Sequence, residues 1–423
     1  MNIALISDLA ETGFGRVGRE LAKRWLEAGH DVRILAINFE GREGAAMGAL
    51  QKNGTPEQVA EAVRAVDEDP VLSRALPASR GGDGMGFKLT AAFLRGHLTE
   101  GWKPDRCFLI ADPQAAIQRL MVDEGMAKVV PTFNYVPIEG TGLSAFWRVL
   151  WSVIKPIAMS DFGAREIGRC MGMDGVPVVS HGISDAFYRI TPAHPATASD
   201  GRIITSKAEA KAVFGWTERT VILRTDRNVP RKDYPAFFAA IRPVIAEHPE
   251  VLVVIHCAPV DEGGALAEWL SDLPGAHELG GSWQHSQVLL TKAHDTFKGL
   301  SDSQLNILYN AADIYASPAW AEGFGLTLAE AARCGVPVVT TDFAAGPEAV
   351  GGGALLVPPA RLFPNLHGHE WSVVDIGKFS AALERLVVDP ELRDRLGEGG
   401  EAHTARFNWD ECAAAMLRIM EAT

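Results

Sequence analysis

Two glutamates bracket a glycine-rich turn in Ser317-Pro318-Ala319-Trp320-Ala321-Glu322-Gly323-Phe324-Gly325-Leu326-Thr327-Leu328-Ala329-Glu330-Ala331. A strand-like run, Asp313-Ile314-Tyr315-Ala316, precedes the turn, and a helical pattern follows it. Gly323 to Thr327 therefore offer backbone N–H groups at a helix N-terminus, where unpaired donors and the positive end of the helix dipole favour an anion. Two carboxylates beside such a cradle would repel a bare phosphate. They suit a phosphate with hydroxyl-rich groups on both sides, a ribose on one and a sugar on the other. A nucleotide sugar has that chemistry. Read alone, the turn also has a plainer and weaker reading, a tight left-handed bend with solvent-exposed acids.

A basic run, Arg224-Thr225-Asp226-Arg227-Asn228-Val229-Pro230-Arg231-Lys232-Asp233, follows the apolar strand pattern Thr220-Val221-Ile222-Leu223. Cations at the C-terminal end of a strand sit where open α/β sheets bind ligands. Arginine presents a planar fork to phosphate oxygens and lysine a compact charge. Near the N-terminus, Asp8-Leu9-Ala10-Glu11-Thr12-Gly13-Phe14-Gly15-Arg16-Val17-Gly18 also runs from a strand into a helix, with Gly13, Gly15 and Gly18 spaced as in a phosphate-binding turn. That spacing alone fits a dinucleotide too, with Glu40 as the ribose-binding acid. Asn134, Tyr135 and Glu139 follow another strand pattern and could contact a sugar or acceptor. Asparagine can hydrogen-bond a hydroxyl but cannot act as a base; Glu139 reads equally as a turn residue before Gly140. No Asp-x-Asp cluster stands ready to hold a divalent ion between diphosphate oxygens, and the histidines show no metal-ligand spacing. Arg227, Lys232 and a helix N-terminus supply the positive charge instead, so metal-independent chemistry is expected.

The segment Glu322 to Glu330, within EGFGLTLAEAARCGVPVV, resembles the paired-glutamate motif of retaining glycosyltransferases of the GT-B fold, the large family 4 type. The likeness extends to Leu305–Asp313 and to Pro337-Val338-Val339, spans most of the chain and is densest from 220 to 358. It implies an α/β protein of two Rossmann-like domains, their parallel sheets facing across a cleft. It also implies that Arg227 and Lys232 neutralise the diphosphate as it leaves, a charge that grows in the transition state. Glu330 would accept from ribose hydroxyls and Glu322 from the transferred sugar. Gly323, Phe324, Gly325 and Leu326 would hold the diphosphate, with Gly13 and Gly15 approaching the donor phosphate. Arg227, Lys232 and Glu322 are thus the expected catalytic residues. The implied co-substrate is a UDP- or GDP-sugar, with no further cofactor. The implied reaction retains anomeric configuration, the leaving phosphate taking the acceptor's proton. Two positions depart from the family pattern: Asp226 stands where glycine commonly precedes the arginine, and Asn134 where many members carry histidine. The acceptor (saccharide, lipid-linked, protein or nucleic acid) and any homo-oligomer stay open. Other readings are an epimerase or phosphorylase of the same fold, an NAD-dependent oxidoreductase, or a non-catalytic nucleotide-sugar binding protein.

The elements that must position these groups follow from the apolar pattern. Short runs at 2–6, 31–37, 106–111, 129–133, 154–159 and 176–180 alternate with helical segments, and the alternation restarts at 220–224, 251–257, 312–316, 337–341 and 354–357. Such alternation predicts doubly wound parallel sheets. Between the first two runs, Val17, Leu21, Trp25 and Ala28 form one apolar stripe. A linker composition from Ile190 to Arg202 divides the chain into domains at 1–192 and 193–405, with 406–423 a final helix expected to return to the first domain. The stretches Glu40–Gly86 and Gly281–Gly299 lie outside these patterns and are candidates for acceptor or oligomer contacts. At 423 residues the chain suits two domains. Its net charge of −13 argues against broad binding to nucleic acid or anionic membrane. No apolar run reaches the ~20 residues that span a bilayer. Five scattered cysteines and the absence of a signal-peptide pattern place it in the cytoplasm as an expectation.

Overall fold

The computed structural model describes the chain except residues 11, 52–53, 123–124, 280–281, 292–299 and 423, and except the side chains at 51, 277–279 and 282–285. It forms two compact units. Unit 1 comprises Met1–Ile138, Leu143–Gly182 and Trp409–Thr423; unit 2 comprises Glu139–Gly142 and Ile183–Asn408. The division falls earlier than the linker composition suggests. Residues beyond 182 are already tied into unit 2: the Tyr188 and Ile190 amides donate to the Asn306 and Asn310 side chains at 3.1 and 2.8 Å.

In unit 1 the strands β1 (Asn2–Asp8), β2 (Asp31–Ile37), β3 (Ala75–Pro77), β4 (Arg106–Ile110), β5 (Thr132–Val136) and β6 (Lys155–Ala158) form one sheet in the order β3-β2-β1-β4-β5-β6. Every pairing is parallel. Ile3, Ala4, Leu5 and Ile6 are buried on both faces, as a helix-covered parallel strand requires. The first helix, α1 (Gly13–Glu27), buries Val17, Leu21 and Trp25. The run at 129–133 is shifted: residues 126–129 form a helical turn, and the strand is 132–136. The run at 176–180 is not a strand and makes only a bridge from Val178 to Ala158. Glu40–Gly86 holds two helices, Gly41–Gln51 and Pro56–Glu68, the second with no buried residue, so it is largely a solvated excursion before the edge strand β3. The last helix (Trp409–Glu421) packs within unit 1 against α1, where the Trp25 indole donates to the Ala413 carbonyl at 3.1 Å. His181 hydrogen-bonds Tyr135 at 2.8 Å and lies against Trp409. Burial pushes the His181 imidazole down to about 3, so it stays neutral.

Unit 2 carries β7 (Thr220–Arg224), β8 (Val251–Ile255), β9 (Ala276–Leu279), β10 (Ser282–His285), β11 (Val288–Leu290), β12 (Ile314–Ser317), β13 (Val338–Thr341) and β14 (Ala354–Val357), ordered β9-β10-β11-β8-β7-β12-β13-β14. The six strands from β11 to β14 are parallel, and β9 and β10 add an antiparallel edge. Strands β10 and β11 occupy part of the Gly281–Gly299 stretch; residues 281 and 292–299 lie outside the described residues. An antiparallel hairpin, β15 (Pro359–Pro364) and β16 (Glu370–Val374), has no counterpart in the sequence expectation. Chain order places β8 on one side of β7 and β12 on the other. The C-terminal ends of β7 and β12 therefore form a topological switch point, where open α/β sheets take their ligands.

Candidate active site

Two loops leave that switch point. The first runs from Arg224 at the end of β7 through a short turn at Pro230–Lys232 and enters the helix Tyr234–Glu247. Asp233 caps this helix from a left-handed conformation (φ 49°), one carboxylate oxygen accepting from the Ala236 amide at 3.2 Å and the other from the Trp320 indole at 2.7 Å. The second loop runs from Ser317 to the helix Leu326–Arg333, whose N-cap is Gly325 at φ 96°. A side chain there would be strained by the backbone angle alone, and its Cβ would come within 3.1 Å of Leu328. Because β7 and β12 are neighbours, Asp233 on one loop can hold Trp320 on the other.

The charged groups form an alternating series. Lys232 Nζ donates to Asp226 Oδ1 at 2.8 Å and to Glu322 Oε1 at 2.6 Å. The other Glu322 oxygen accepts from Arg231 at 3.2 Å, and Arg231 pairs with Glu139 at 3.0 Å. At the inner end Arg224 lies 3.4 Å from Asp226, and both are fully buried. Burial opposes the charge of Lys232, but Asp226 and Glu322 outweigh it and hold the ammonium above the ordinary lysine range. Asp226 shows the converse: burial would raise its pKa, yet Lys232 and Arg224 hold it well below the usual carboxylate range. Arg231 is kept charged in the same way, burial being overcome by Glu139 and Glu322. Asp226 also takes the Thr327 hydroxyl at 3.0 Å and the Ser317 hydroxyl, so it reaches the first turn of the Leu326–Arg333 helix.

Glu330 lies in that helix, buried, and one oxygen accepts from the Tyr309 hydroxyl at 3.0 Å. Tyr309 and Tyr315 both meet Thr225 Oγ1, at 2.9 and 3.2 Å. Phe324 packs edge-on against Phe407, 5.2 Å between ring centres, which fixes the turn between Gly323 and Gly325 from behind. A trio of Glu247, His248 and Glu384 brings ligand atoms within 4.8 Å of one another. It lies at the far end of the Tyr234–Glu247 helix, ~20 Å from Lys232 at 1.5 Å per residue.

Lys232 and Glu322 thus stand together, with Glu330 entering from the same helix as Thr327. Arg227 stands apart from the series. Its guanidinium binds Asp261 at 2.9 Å and Glu262 at 2.8 Å on a half-exposed surface. Arg231, passed over within the basic run, is the arginine beside Glu322. Glu322 has two oxygens and a buried position, so it needs donors on both sides, and the adjacent Arg231-Lys232 pair was the signal available. Asp226 was visible only as a departure from the family pattern. The structure places Asn134 and Tyr135 inside the sheet of unit 1. Both are fully buried in β5, between β4 and β6, with Asn134 donating to the Ala111 carbonyl at 2.9 Å and the Tyr135 hydroxyl bound to Val179 and His181. Both side chains lie in the core of unit 1, where the Asn134 amide oxygen is left without a hydrogen-bond partner. In unit 1, Thr12 caps α1 by accepting from the Gly15 amide at 3.0 Å and itself donates to Asp8 at 2.7 Å. Any Cβ on Gly15 would fall 1.9 Å from the Ala10 carbonyl oxygen, so only glycine fits there, while Gly13 is exposed at the helix start.

Residues 206–403 match the family model described as glycosyl transferases group 1. A D-inositol 3-phosphate glycosyltransferase of Streptomyces bingchenggensis is 31% identical over 277 residues, 64% of this chain and 53% of its own length. The chain spans about half the length of the curated relatives that it matches. Among solved structures, a sucrose-phosphate synthase from Thermosynechococcus elongatus superposes with a TM-score of 0.67 at 17% identity, covering 100% of this chain and 98% of that one. HepE from Anabaena, in complex with UDP-glucose, gives 0.65 at 14% identity with 100% of both chains covered. The fold is therefore that of the GT-B glycosyltransferases.

Proposed function

We propose, from the glycosyl transferases group 1 domain that the chain carries at residues 206–403, that the protein transfers a sugar from a nucleoside diphosphate sugar to a hydroxyl acceptor. The observation that carries this reading is the meeting of Lys232 and Glu322 at the N-terminal end of the Leu326–Arg333 helix, over adjacent strand ends. Lys232 and the helix N-terminus supply positive charge for a diphosphate. Glu322, already held by two donors, is oriented to accept from hydroxyls of the transferred sugar. Glu330 accepts from the ribose. The acceptor hydroxyl attacks the anomeric carbon from the face that the diphosphate leaves; the bond from that carbon to the phosphate oxygen breaks, and the phosphate oxygen takes the proton. Anomeric configuration is then retained with no protein nucleophile. Charge stabilisation at the leaving phosphate is the main catalytic contribution.

UDP- and GDP-sugars are the proposed donors; the fold relative in complex with UDP-glucose supports the class of ligand. A thermal-shift screen across UDP-, GDP-, ADP-, TDP- and CDP-sugars tests the reading. One base should raise the melting temperature at millimolar ligand, and no shift with any of them would sink it. The reaction is proposed to need no metal. Turnover should survive EDTA, and a loss that manganese or magnesium reverses would overturn that part.

A further inference from the structure

We propose that Asp226 is a positioning residue that holds the Lys232 ammonium against the first turn of the Leu326–Arg333 helix, so that lysine and helix meet the same diphosphate. The inference rests on the nucleotide-sugar reading of this site and adds to it a residue at a position where the resembled family commonly has glycine.

Asp226 is fully buried, and four groups converge on its carboxylate. Oδ1 accepts from Lys232 at 2.8 Å and from Thr327 at 3.0 Å; Oδ2 accepts from Ser317 and faces Arg224 at 3.4 Å. One oxygen therefore joins the lysine head to the second residue of the helix. Arg224 completes the hold: its guanidinium lies 3.8 Å from the Tyr234 ring centre and 4.8 Å from that of Phe237, and it donates to the Lys232 carbonyl. Lys232 is thus fixed at backbone and head by two residues that a glycine at 226 could not link. An ammonium has three N–H donors. Asp226 and Glu322 take two, and the third is available to a phosphate oxygen. A buried carboxylate so fully engaged contributes more than charge balance, because a misplacement of ~1 Å at a reacting group can cost ~10²-fold in rate.

The test is Asp226→Asn, which keeps the shape and removes the charge. Lys232 is followed by NMR in lysine-labelled protein, its signal assigned with Lys232→Arg, and turnover is measured against pH with the sugar nucleotide that the thermal screen selects. Asp226 favours the charged form of Lys232, so its loss leaves burial less opposed. The lysine titration should then move to lower pH, and the alkaline limb of kcat/KM should move with it. Turnover at neutral pH should fall about 10–100-fold, and Asp226→Glu should restore part of the pH profile. A titration and a limb that both stay in place would overturn the proposal. Should that variant fail to fold, Asp226→Ser carries the same two readings, and a Lys232 titration and alkaline limb that both stay where the wild type has them overturn the claim. If the wild type binds no sugar nucleotide, the functional reading fails, while the lysine titration still decides what Asp226 does.

Discussion

Replacing Lys232 by methionine is expected to cut turnover about 10²–10³-fold, the usual loss when one preorganised donor is removed from a developing anion. The effect should fall on kcat more than on KM, because Lys232 meets charge that grows as the glycosidic bond breaks. The same change leaves Asp226 and Glu322 without their shared cation at 2.8 and 2.6 Å. Both carboxylates are buried, so stability should drop as well, by about 3–5 kcal/mol for a broken buried pair. Denaturant unfolding and single-turnover rates separate the two losses. A folded variant with a near-normal rate would remove Lys232 from the chemistry.

Glu330→Ala acts elsewhere. If the carboxylate accepts from ribose hydroxyls, affinity for the free nucleoside diphosphate should fall about 10–100-fold, the equivalent of ~1.5–3 kcal/mol for a hydrogen bond to a charged group. Tyr309 keeps Thr225 as a partner at 2.9 Å, so the surrounding hydroxyl cluster should survive the change. Calorimetry on the variant reads the effect directly. An unchanged dissociation constant would contradict the ribose role and leave Glu330 as a structural acceptor.

Much of this arrangement is legible in the chain because it depends on local order. Gly325 must begin a helix at a positive φ, Glu322 and Glu330 flank that helix start, and the strand before it is a continuous apolar run. The basic run after β7 is equally local. What the sequence hides is pairing across distance. Nothing in the order of residues says that Arg227 will find Asp261 and Glu262, leaving Arg231 to sit between Glu139 and Glu322. Asn134 and Tyr135 read as loop residues because the apolar run ends just before them. Register settled otherwise: the strand begins at Thr132, later than the apolar run suggested, which draws both residues inside it. The hairpin β15–β16 escaped for a similar reason. Pro359, Pro364 and a gap of polar residues weaken its alternation, and its backbone is also fixed by partners in distant loops. Ser372 donates twice to the Trp320 carbonyl, from its amide at 3.1 Å and its hydroxyl at 2.7 Å, and Glu370 exchanges amide bonds with Thr141.

The return of Trp409–Thr423 to unit 1 has a consequence for how the protein is made. During translation, domains generally fold as they emerge, the N-terminal one first. Here unit 1 lacks the helix that receives the Trp25 indole until all of unit 2 has left the ribosome. A nascent chain stalled after residue 408 would expose an apolar strip on α1, making it a natural client for chaperones, and a recombinant fragment ending there would inherit the same bare surface.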